Sequence, residues 1–212
     1  MSPLFKSAST ASDPPLATES RSQPGFEELL SQLGDDDPDV RRAAVFGIAD
    51  NPLALTALAE RVGVEHDHIV REALCSQLAR HDVTEVVDIV VGHLASDNAA
   101  LRNDVVELLA RLPISTAGRV PALLADPDPD VRLMAVMVLS GLRSPEVETW
   151  LSELVRHDLN ANVVASAIGE LVALSGERSW ATLVAARERF PDDPFIAFSV
   201  SRVIDAPDSE RA

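Results

Sequence analysis

The 212-residue chain has no tyrosine, two tryptophans, six phenylalanines and a single cysteine, Cys75. One cysteine excludes an internal disulfide framework and a cysteine-built zinc site. Lysine is nearly missing too, since Lys6 is the only one among 18 basic residues. Against those stand 34 acids, for a formal charge of −16. Nucleic acid and anionic membrane surfaces need cations to meet phosphate, so neither is expected as a partner. No apolar run approaches the ~20 residues of a membrane span. The first 24 residues carry no apolar signal-peptide core, so a cytoplasmic protein is expected. HExxH, Walker A, GxGxxG and GxSxG motifs are all absent, which points away from an enzyme and from a bound cofactor.

What the chain does have is Ala, Val and Leu in a periodic arrangement. Val40-Arg41, Val70-Arg71, Leu101-Arg102 and Val131-Arg132 lie 30, 31 and 30 residues apart. Val163-Val164 and Ile196-Ala197 follow at 32 and 33, without the arginine. Taking the first residue of each pair as position 0, positions 0, 4 and 8 are apolar in all six units, from Val40/Ala44/Ile48 to Ile196/Val200/Ile204. That spacing is one face of an amphipathic helix. Each unit predicts a helix, a tight turn and a second helix, giving twelve helices in six antiparallel pairs. Such a pair cannot bury both faces alone, so the units must stack into an all-α solenoid spanning residues 25–205. Residues 1–24, rich in Ser, Thr and Pro, are expected to be disordered, and 206–212 to be a polar tail.

The turns before the second helices are acidic, as in "DDDPDV" and "DPDPDV". Asp37, Asp67, Asp97 and Asp128 are placed to cap those helices, because a carboxylate there accepts the free N–H groups of the first turn. Arg41, Arg71, Arg102 and Arg132 are placed to reach the acidic turn of a neighbouring unit, making an Asp–Arg ladder. Proline interrupts both turn phrases, no glycine stands at a sharp-turn position and no distal Glu follows, which disfavours calcium. His66 and His68 flank Asp67, but an i,i+2 pair at a helix start does not aim two rings at one metal ion. Cys75 takes a position that is otherwise mostly Val or Ile, as a small core residue.

"DDDPDVRRAA" and "DPDPDVRLMAVMVL" resemble the HEAT-like repeats, in particular the short variety first described in phycobilin lyases. The resemblance implies an α-solenoid whose second helices line a concave groove. It is poor for function, because that family includes scaffolds, assembly factors, bilin lyases and DNA glycosylases. The glycosylase branch uses a cationic concave surface, and here the charge has the wrong sign. On the helical wheel, positions 2 and 6 of each second helix point away from the apolar stripe. Solvent alone would select polar residues there, yet Phe46, Leu133, Met137 and Phe198 are apolar, with small Ala165 and Gly169 beside them. These four residues are the expected protein-binding surface. The expected role is a non-enzymatic adaptor or assembly factor, holding a basic and apolar segment of another protein. A bilin-lyase or cofactor-maturation role is the alternative.

Overall fold

The computed structural model describes residues 24–175 and 179–204, so the segment 1–24 (its last residue excepted) and the tail 206–212 fall outside the described residues. Among the described residues there are α-helices, two short 3-10 turns and no strand. The helices are α1 (Phe26–Gln32), α2 (Pro38–Ile48), α3 (Leu55–Val64), α4 (His68–Leu78), α5 (Thr84–Val90), α6 (Ala99–Ala110) and α7 (Pro113–Ala117). They continue as α8 (Val120–Leu124), α9 (Pro129–Gly141), α10 (Val147–His157), α11 (Ala161–Ser175), α12 (Trp180–Arg189) and α13 (Pro194–Ile204). In one layer α2, α4, α6, α9, α11 and α13 touch in that order, while α3, α5 and α7 pack on the other side, as do α10 and α12. This is an all-α solenoid of stacked helix pairs.

Thirteen helices replace the expected twelve, because the first helix of the fourth unit is broken into α7 and α8. Pro121 is the cause. It has no N–H for the Ala117 carbonyl, and its ring clashes with the preceding turn, so a continuous helix over "STAGRVPALL" cannot form. Asp82 then holds the new helix end: its carboxylate accepts the N–H groups of Ile114 (2.8 Å) and Ser115 (2.9 Å).

The apolar stripe is where the periodicity puts it. Every described side chain at positions 0, 4 and 8 is buried except Val40, which is half-buried. Position 5 is inside as well, with Val45, Val106, Val136 and Ile168 buried around the solenoid axis. Cys75 sits there too, and burial pushes its thiol up to about 12, so it is a packing residue and not a nucleophile. The core forms two clusters. One runs from Leu29 to Val138 and the other from Val120 to Val200. They meet at the fourth unit, where Leu124 packs against both.

Candidate functional site

The turn that starts each second helix fixes how the outward face is presented. Asp37, Asp67 and Asp128 cap α2, α4 and α9, each accepting a first-turn N–H at 2.9 Å. In the third unit Asn98, not Asp97, is the cap. Asn160 and Asp193 cap α11 and α13 in the two units that lack the arginine. Two residues before the cap stands a second polar side chain that accepts the cap's own N–H. These are Asp35, Glu65, Ser96, Asp126 and Asp158.

The arginines use that second side chain, not the cap. Each turns one guanidinium nitrogen back onto the carbonyl six residues earlier: Arg41 onto Asp35, Arg71 onto Glu65, Arg102 onto Ser96 and Arg132 onto Asp126. The remaining nitrogens reach the next unit. Arg41 holds Glu65 in a two-point pair (2.7 and 2.9 Å), and Arg132 holds Asp158 likewise (2.7 and 3.1 Å). In the next unit the corresponding residue is Ser96, which has no carboxylate, and Arg71 pairs instead with Asp104 on α6. Arg102 has only its own turn carbonyl. The ladder is therefore corrected in its acids. Asp37, Asp67 and Asp128 spend an oxygen on helix N–H groups, Asp97 is displaced by Asn98, and the carboxylates that join units are Glu65, Asp104 and Asp158.

Glu65 is the most strongly held. It is buried and takes bonds from Arg41, from Arg61 (2.9 Å) and from the Asp67 N–H (2.9 Å). Burial would raise its pKa, but the two guanidinium groups and the backbone N–H outweigh that and hold the carboxyl down at about 2. In the fifth unit Val164 stands where the arginine would be and is buried in the core. Arg189, at the end of α12, reaches back from the sixth unit to the carbonyls of Val155 (2.7 Å) and Asp158. A guanidinium from the neighbouring unit thus serves the carbonyl that the missing arginine would have served.

The outward face of the second-helix layer divides in two. In the first three units, positions 2 and 6 carry exposed Arg42, Glu72, Asn103 and Glu107, with half-buried Ser76; Phe46, 54% exposed, is the apolar exception. In the last three units the sequence puts Leu133, Met137, Ala165, Gly169 and Phe198 there, with Arg202 the charged exception. Met137 and Phe198 are exposed, and so is Phe195 at the start of α13. A groove of about 450 Å³ crosses α9, α11 and α13, lined by Leu133, Asn162, Ala165, Ser166, Gly169 and Phe195. Leu133 differs from expectation. It is only half-exposed and packs against the second core cluster, to which Ala165 of α11 belongs. It lines the groove together with exposed Phe195, while Met137 and Phe198 are exposed on the same helices without lining it. Phe195 was missed because it precedes position 0. His66 and His68 are both exposed, and Trp150 is half-buried against the second cluster. Among the described residues no helix is long and apolar enough to cross a membrane.

Two comparisons bear on this arrangement. The HEAT repeats family matches residues 26–110 and 116–196. A phycocyanin operon protein Z of Pseudanabaena tenuis, itself uncharacterized, is 30% identical over 143 residues, covering 61% of this chain and 69% of that protein. Stacked helix pairs, six capped turns and the match over most of the length agree: the chain belongs to the HEAT repeat family.

Proposed function

We propose that the chain is a non-enzymatic cytoplasmic adaptor or assembly factor, gripping a segment of another protein across the second helices of its last three units. The observation that carries this reading is the groove of about 450 Å³ lined by Leu133 and by Phe195, 61% exposed, on helices that also expose Met137 and Phe198, in a chain whose other outward positions are mostly polar. Exposed apolar groups around a depression are what a protein contact uses, and Met137 adapts to varied shapes. Exposed Glu107 on the adjoining α6 favours a cation beside the partner's apolar anchors. The test is capture from the native host with the parent and with Met137→Glu/Phe198→Glu. The parent retrieves a partner that the folded variant does not; equal retrieval by both overturns the reading.

A second reading is maturation of a bilin-type cofactor on a partner, and the phycocyanin operon of the Pseudanabaena relative favours it. It predicts that a linear tetrapyrrole added to the protein shows a saturable change in absorption. An unchanged spectrum removes it and leaves the adaptor.

A further inference from the structure

A second cavity lies on the opposite layer from the groove. It opens between α8 and α10, has a volume of about 590 Å³, and is unused by the reading above. Its origin is Pro121. Breaking the fourth unit's first helix leaves only the short α8 to face α10, and the Pro121 and Pro127 rings form one wall. Leu124, Leu154 and Leu159 supply apolar surface, and Leu159, 88% exposed, has no structural reason to be a leucine. Trp150 is half-buried in the same cavity, packed on one side against the core.

The polar groups around Trp150 decide what fits. Arg132 lines the cavity but has no cation to offer: its nitrogens are taken by Asp158 and by the carbonyls of Asp126 and Pro127. Asp158 is neutralised by the same pair. Asp126 gives one oxygen to the Asp128 N–H, and Glu153 makes only exposed contacts with Arg156 and His157, of the kind worth little. The cavity thus combines an indole, two acids and the exposed His157 ring at its edge, and an apolar wall. We propose that it is a second docking site, for an extended protein segment that presents an arginine next to a leucine-sized residue. The guanidinium stacks on Trp150 between Asp126 and Glu153, where ring and carboxylates both attract a planar cation. The aliphatic neighbour rests on Leu124, Leu154 and Leu159. A site on this layer lets one molecule hold two segments at once, which suits an assembly role.

The test uses the blocked peptide acetyl-Leu-Arg-Leu-Pro-amide and its Gln-for-Arg counterpart. Trp180→Phe leaves Trp150 as the reporting tryptophan, and calorimetry on the parent protein gives the same constants without that change. The Arg peptide should perturb Trp150 emission saturably and bind about fivefold or more tighter than the Gln peptide, the gap narrowing in high salt. Glu153→Lys, at an exposed site, should remove that preference while Met137→Glu leaves it intact. Absence of saturable binding, equal binding of the two peptides, or a preference that survives Glu153→Lys would each overturn the proposal. None of these outcomes depends on the second-helix groove.

Discussion

The first three units and the last three are built from one repeat, yet they differ in what holds them and in what they show to solvent. In the first half two of the three turn arginines are locked by side-chain carboxylates, and Arg102 reaches only its own turn carbonyl. Arg41 and Arg61 converge on buried Glu65, and Arg71 reaches Asp104. The outward positions of α2, α4 and α6 are mostly polar or charged. In the second half Arg132 still holds Asp158, but the next unit substitutes Val164 and borrows Arg189. There the outward positions, Arg202 excepted, become small or apolar, with the groove on one layer and the cavity beside Trp150 on the other. The repeat keeps its stripe and its caps throughout, because losing either would unfold the unit. It relaxes the arginine and the outward residues in the last units.

The largest effect expected is at Glu65. Glu65→Ala leaves two buried or half-buried guanidinium groups without their carboxylate, and should cost about 3–4 kcal/mol in a urea titration. The pH dependence carries the same signature. The folded carboxyl sits at about 2, below its unfolded value near 4.5, so its stabilisation is complete above that value and is lost as pH falls toward 2. Between pH 5 and 2 the parent should lose stability faster than Glu65→Gln.

The arginines sharpen the comparison. Arg132→Ala should cost about 2–3 kcal/mol, because Asp158 is buried and loses its partner. Arg102→Ala should cost about 1 kcal/mol, since only a turn carbonyl is released. Equal costs would mean that the inter-unit carboxylate adds nothing to the stacking. Arg189→Ala should fall between them if that side chain has taken over the fifth rung, and should be nearly neutral if it has not. Smallest of all, Met137→Glu/Phe198→Glu should shift stability by no more than about 0.5 kcal/mol, because both side chains face solvent.

The fold was legible because the stripe repeats every 30 to 33 residues and the caps are local: Asp37, Asp67 and Asp128 announce helix starts wherever they occur. The ladder's acids were less legible. A pattern of acid, any residue, then Asp or Asn is visible at 35–37, 65–67, 126–128 and 158–160. Which of its two polar residues meets the arginine depends on the turn's geometry, since the cap residue is engaged by its own helix. Arg189 could not be read from its unit, because its partner carbonyls belong to the preceding one. Leu133 was assigned by angle alone, and the angle does not say how close α11 comes.

The most direct test of the division between the halves is hydrogen–deuterium exchange on the protein bound to the partner it captures from its host. Slowed exchange confined to Pro129–Gly141, Ala161–Ser175 and Pro194–Ile204 is the predicted result. Slowed exchange confined to Pro38–Ile48, His68–Leu78 and Ala99–Ala110, with the last three second helices unchanged, would contradict it.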